Sequence, residues 1–152
     1  MSRIIGVDLG EKRIGIAVAD VDGAATPLTT LRRGRTPDAD AAALLRIAVE
    51  QGATEVVVGL PLEAAGTEGL QCAVTRAWAK AVSGLVGLPF GWRDERLTSH
   101  LAEQRLGPMK RGRSGGAPSK TQRDAYRARV DREAATIILQ DCLLYTSPSP
   151  RD

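Results

Sequence analysis

An α/β fold with a mixed five-stranded sheet flanked by helices is what this chain predicts, and three observations predict it. Two short apolar strands meet at a tight Gly-Glu-Lys turn near the N-terminus. Two further apolar runs alternate with segments of helical periodicity. At 152 residues the chain forms one domain, long enough to bury a core without disulfides or a structural metal.

The hairpin runs from Ile4 to Asp20, turning at Gly10-Glu11-Lys12. Ala24 to Leu31 adds a third antiparallel strand rich in β-branched and apolar residues. Thr36-Pro37-Asp38 opens a helix: a Thr cap, Pro in the first turn, acids near the positive end. Ala41, Leu44, Leu45 and Ala48 form its apolar stripe, and Gln51-Gly52 ends it. Val56 to Leu60 is apolar throughout, as in a parallel strand covered on both faces, and Pro61 stops it.

The second helix spans about 68–86, with Leu70, Val74, Ala77, Ala81 and Leu85 expected inward. Pro89 opens a fifth strand, Phe90 to Asp94, and a short helix covers Ser99 to Leu106. The last helix starts near Arg123, with Ala134, Ala135, Ile138 and Cys142 on one face. Three antiparallel strands followed by helix, strand, helix, strand and helix match the ribonuclease H-like fold.

The expected domain covers 1–143. Residues 144–152, ending Ser-Pro-Ser-Pro-Arg-Asp, lack periodicity and are expected as a disordered tail. That tail resembles translated adaptor read-through, a sequencing artefact in place of the natural C-terminus. Apolar runs fall far short of a bilayer span, so a soluble cytoplasmic protein is expected. Cys72 and Cys142 lie far apart without a C-x-x-C, so they are expected as small packing residues. His100 is the only histidine, which argues against His-rich metal centres.

The net charge is only +3, but it is unevenly placed. Lys110, Arg111, Arg113, Lys120, Arg123, Arg127, Arg129 and Arg132 fall in one segment, against Asp124 and Asp131. A solvated loop and helix face would look similar, yet the bias across a Gly/Pro/Ser-rich loop and into a helix favours a polyanionic partner.

Asp8 stands inside the first strand on the face of Ile4 and Gly6, and Gly6 leaves room beside it. It is either a turn-starting acid or a metal or phosphate ligand. The Asp8-x-Gly10 hairpin also resembles the phosphate-binding hairpin of actin-like ATPases. Asp94 shares the face of Phe90 and Trp92, while Glu95 points to the other face or into the loop. Asp131 precedes Ala134, Ala135 and Ile138 by three, four and seven positions, which puts it on the inward stripe of the last helix. A bridge to Arg127 would be its structural alternative. Carboxylates gathered at one spot repel unless a cation holds them, and hard oxygen donors favour Mg²⁺ or Mn²⁺.

Asp8-x-Gly10 with Arg13-Ile14-Gly15, Val58-Gly59-Leu60-Pro61-Leu62, Gly66-x-Glu68-Gly69, Asp94-Glu95-Arg96-Leu97-Thr98-Ser99 and Asp131-x-x-Ala134-Ala135 occur in order. Over residues 3 to 143 this pattern resembles the YqgF family, bacterial proteins similar to Holliday-junction resolvases and associated with maturation of the 5′ end of pre-16S ribosomal RNA. The resemblance implies a nuclease with Asp8, the Asp94/Glu95 pair and Asp131 as catalytic acids. Its metal ligands would be Asp8, Glu95 and Asp131, with Glu95 preferred to Asp94. It implies a pre-rRNA substrate, contact with ribosomal particles, and phosphate contacts from Arg13 and Arg96. Lys110, Arg111, Arg113, Lys120 and Arg123 would clamp the nucleic-acid backbone. Junction resolvases carry an acid after the fourth strand, where this chain has Leu60-Pro61-Leu62. A non-catalytic RNA-binding assembly protein and a resolvase acting on DNA are therefore the competing readings.

Overall fold

The computed structural model describes residues 2–61, 69–95, 98–109 and 115–146; the side chains of 94–95, 98–100 and 144–146 lie outside that description. Its strands are β1 (Arg3–Leu9), β2 (Arg13–Asp20), β3 (Thr26–Arg32), β4 (Ala53–Pro61) and β5 (Phe90–Glu95). Its helices are α1 (Pro37–Gln51), α2 (Leu70–Val86), α3 (Thr98–Leu106) and α4 (Lys120–Thr146). The sheet order is β3-β2-β1-β4-β5. β1–β2 and β2–β3 pair antiparallel, whereas β1–β4 and β4–β5 pair parallel.

Strand alternation splits the sheet into two buried faces. Ile5, Val7, Ile14, Ile16, Val56 and Val58 face α1 and α2, where Leu44, Trp78 and Val82 complete one core. Ile4, Ala17, Ala19 and Val57 face α4, against Ala135, Ile138 and Leu139. α3 is seated on α4 through Ala102, Tyr126, Val130 and Ala134. Both faces being covered explains why β1 and β4 read as almost unbroken apolar runs.

Several expectations need correction. The stripe expected inward on α2 points to solvent: Leu70 is 83% exposed and Leu85 53%, and Val74, Ala77 and Ala81 are exposed too. The buried side of α2 is Cys72, Thr75, Trp78, Ala79, Val82 and Val86. The large indole of Trp78 sets this phase. It is 4% exposed, and its Nε1–H donates to Asp40 Oδ2 at 2.9 Å. Asp40 is itself buried in the first turn of α1, and its other oxygen accepts from the Gly34 N–H at 2.7 Å. On α1, Leu44 is buried but Leu45 is 40% exposed.

The last helix begins at Lys120, not Arg123, and continues to Thr146, three residues past the expected domain end at 143. Cys72 is buried and Cys142 half-buried, and neither forms a disulfide. Among the described residues, no helix is long and apolar enough to cross a membrane.

Candidate active site

Two glycines govern how α4 meets the sheet. A Cβ on Gly6 would stand 2.8 Å from the Leu139 Cβ and 3.0 Å from the Ala135 carbonyl oxygen. A Cβ on Gly15 would fall 1.9 Å from the Asp131 carbonyl oxygen. Residues 131, 135 and 139 are successive i+4 steps along one stripe of α4, and that stripe lies on bare glycine backbone. The room expected beside Asp8 at Gly6 is therefore occupied by the helix.

This contact brings two acids together from opposite ends of the chain. Asp8 on β1 is the register partner of Gly15 on β2. Directly opposed residues of an antiparallel pair project to the same face, so Asp8 lies on the face of α4, beside the glycine that receives Asp131. Asp8 is half-buried, as is Asp131.

The surroundings of Asp131 are unusual for an acid. Burial pushes its carboxyl above the ordinary value, and the positive charges of Arg13, Arg127 and Arg132 only partly offset that shift. Asp131 makes no ion pair among the described residues. The structural alternative for it was a bridge to Arg127, but that guanidinium instead donates to Glu103 at 2.9 Å.

Beside Asp131 opens a hollow of about 400 Å³. The β1–β2 turn (Gly10 to Arg13) forms one wall, and Arg123, Asp124, Arg127 and Asp131 of α4 form the other. The turn is closed by a hydrogen bond from the Gly10 N–H to the Arg13 carbonyl at 2.8 Å. Arg13 pairs with Asp124 at 3.4 Å, and Lys120 pairs with the same carboxylate at 2.8 Å. Hydrogen bonding from Lys120 is the main reason the Asp124 carboxyl lies below its ordinary range. Arg123 donates to the Pro118 carbonyl at 2.9 Å, which ties the end of the preceding loop to α4.

Of the residues expected at the site, Asp8 is the register partner of the glycine that meets Asp131, and Arg13 and Arg123 line the hollow that Asp131 borders. Lys120 stands at the start of the same helix, paired with Asp124. In β5 the backbone register pairs Asp94 with Leu60 and Glu95 with Pro61, and their side chains lie outside the described residues. Arg96, Lys110, Arg111 and Arg113 also lie outside them, as do Gly66 and Glu68 of the expected motif and the side chain of His100. Among the described residues, no three His, Cys, Asp or Glu side chains gather as metal ligands.

Sequence reasoning did not place Lys12 or Arg127 in the cleft, nor Arg32 near Arg13. Arg32 is the cross-strand partner of Arg13, a relation that depends on the β2–β3 register, which shifts between Ile16 and Ala17. Only the spacing of the hairpin turn to its own strands was available to suggest Lys12.

The family model RuvX, described as Holliday junction resolvase, matches residues 2–145. A Chloroflexus aurantiacus protein named "Putative pre-16S rRNA nuclease" is 40% identical over 141 residues, covering 92% of this chain and 85% of that protein. One of the same name from Anaeromyxobacter dehalogenans is 42% identical over 147 residues, covering 96% and 99%. Among solved structures, Thermus thermophilus RuvC in complex with a Holliday junction substrate aligns with a TM-score of 0.54 at 15% identity, covering 97% of this chain and 98% of that one. At that identity the likeness shows the fold, which is ribonuclease H-like as the element order predicts.

Proposed function

Because the chain belongs to the RuvX family, we propose that it is a divalent-metal-dependent nuclease that hydrolyses phosphodiester bonds and trims the 5′ end of pre-16S rRNA in the cytoplasm, on ribosomal precursor particles. Most of the support comes from one observation. Asp131 is half-buried, without an ion-pair partner among the described residues, and seated on Gly15 opposite Asp8. An acid kept in that position at a cost in solvation suits a cation that compensates it.

The donors fit Mg²⁺ or Mn²⁺, being carboxylate oxygens with no sulfur or imidazole among them. Asp8 and Asp131 would hold the ion, with Glu95 as the third ligand. Strand alternation supports Glu95 over Asp94, since Arg93, two residues before Glu95, reaches α4 by an ion pair with Asp141 at 3.0 Å. When bound, the metal would activate water and stabilise the oxygen leaving phosphorus.

The chain's own groups do the rest. Arg13, Arg123 and Arg127 line the hollow beside Asp131 and neutralise the phosphates entering it. In this reading Arg96, Lys110, Arg111, Arg113 and Lys120 add further contacts to the phosphate backbone.

Asp8→Asn and Asp131→Asn test the reading. Each should abolish Mg²⁺-dependent cleavage of a structured pre-rRNA fragment and leave RNA binding within about twofold. Full cleavage by both variants would refute the nuclease assignment. Cleavage confined to four-way DNA junctions would move the substrate to DNA. Tight RNA binding by the parent without metal uptake would favour the non-catalytic assembly role.

A further inference from the structure

A second hollow, about 200 Å³, opens between the β2–β3 edge and α4 and shares Arg13 with the first. Three guanidinium groups border it: Arg13 of β2, Arg32 of β3 and Arg132 of α4. No carboxylate is among its described lining residues. Arg13 and Arg32 are cross-strand register partners, an arrangement of like charges that destabilises a sheet. Arg32 is exposed and makes no hydrogen bond or ion pair among the described residues.

Arg132 is held at the hollow by its own contact. Its Nη1 donates to Thr30 Oγ1 at 3.1 Å, and that hydroxyl donates to the Ala128 carbonyl at 2.7 Å. Arg13 lines this hollow as well as the acid-bearing one. Arg13 therefore joins the two, and an anionic polymer crossing it would meet both.

We propose that the hollow bounded by Arg13, Arg32 and Arg132 is a phosphate subsite that grips the nucleic-acid backbone outside the cleavage cleft, along the β3 edge. Three guanidinium groups line the hollow and no acid does, although Arg13 also pairs with Asp124 at 3.4 Å, and an arriving anion would lessen the Arg13–Arg32 repulsion. Such a contact fixes register on the strand without reading bases. The proposal rests on the nuclease reading for its ligand, a phosphodiester chain.

The test compares the full-length parent with Arg32→Gln, and with Arg46→Gln on the exposed face of α1 as control, binding a labelled stem–loop RNA in EDTA across a salt series. Arg32→Gln should lose roughly 0.7–0.9 of the slope of log K against log[salt], the share of one phosphate, while Arg46→Gln keeps the parent slope. Arg32→Gln should melt no lower than the parent, since it removes a like-charge pair; a clear fall would mark a structural role and overturn the proposal. In Mg²⁺ its KM for the stem–loop should rise with kcat unchanged, and it should match the parent on an oligonucleotide too short to span both hollows.

Equal slopes for parent and Arg32→Gln, or an equal loss in Arg46→Gln, would overturn the subsite. Inorganic phosphate that stabilises the parent but not Arg32→Gln, with equal RNA slopes, would make it a free-anion site and overturn the nucleic-acid assignment. Failure of the parent to cleave any RNA would defeat the nuclease reading, while the slopes, measured without metal, still decide the subsite.

Discussion

Replacing Gly15 by alanine tests the contact on which the site depends. The added methyl would lie 1.9 Å from the Asp131 carbonyl oxygen, whereas ordinary van der Waals contact begins at 3.4 Å. Relief requires α4 to retreat by the difference between those distances, 1.5 Å. The retreat cannot be local, because the same stripe of α4 rests on Gly6 through Ala135 and Leu139. Overpacking of this kind costs about 1–3 kcal/mol. The chemistry should suffer more than the fold. Asp131 would move from Asp8 by several times the roughly 0.2 Å tolerance of a metal–ligand distance, and misplacement near 1 Å costs on the order of 100-fold in rate. Urea denaturation, the Mg²⁺-induced rise in Tm and cleavage of labelled RNA would be measured on the same preparation. Gly84→Ala is the matched control, because a Cβ there meets nothing within 4 Å. Inside α2 it should stabilise by about 0.5–1 kcal/mol. The reasoning is refuted if Gly15→Ala unfolds at the parent's urea midpoint, or if it folds and cleaves at the parent's rate.

Two further predictions concern buried acids. Asp131 has its pKa raised above the ordinary 3.8, so the folded chain holds that proton more tightly than the unfolded one. Its effect on stability is therefore unfavourable at neutral pH, and stability is regained as pH falls through the raised value towards 3.8. Asp131→Asn should accordingly raise Tm at pH 7 in EDTA, flatten the pH dependence on the acid side, and lose the Mg²⁺-induced stabilisation, about 1.4 kcal/mol when metal is tenfold above Kd. A lower Tm in EDTA would contradict it. Asp40→Ala strands the indole N–H of Trp78 and the Gly34 N–H and should cost about 2–4 kcal/mol, read by urea denaturation followed through tryptophan fluorescence, with cleavage per folded molecule unchanged.

The hairpin, the α/β order and the inward placement of Asp131 were legible because each rests on local periodicity and turn chemistry. The face of α2 was not. Leu70, Val74 and Leu85 keep helical spacing on one side, while Cys72, Trp78, Val82 and Val86 keep it on the other, and periodicity alone cannot rank two apolar stripes. What ranks them is the bond from Trp78 to Asp40, made across 38 positions of sequence. Asp40 was hidden for a related reason: an acid in a first helical turn is ordinarily a solvated partner of the helix dipole. The pairing of Arg13 with Arg32 follows from a register that shifts within β2–β3, which composition does not reveal. The glycine seat of α4 was half legible, since Gly6 suggested space but not its occupant, and Gly15 gave no such signal.

Asp8 lies in β1 and Asp131 in α4, so the two can meet only after every element between them has been synthesised. A chain interrupted before α4, or clipped ahead of it, would carry all five strands and Asp8 but not Asp131. If Asp8 and Asp131 hold the metal as proposed, hydrolysis has to wait for the helix that is synthesised after the whole sheet.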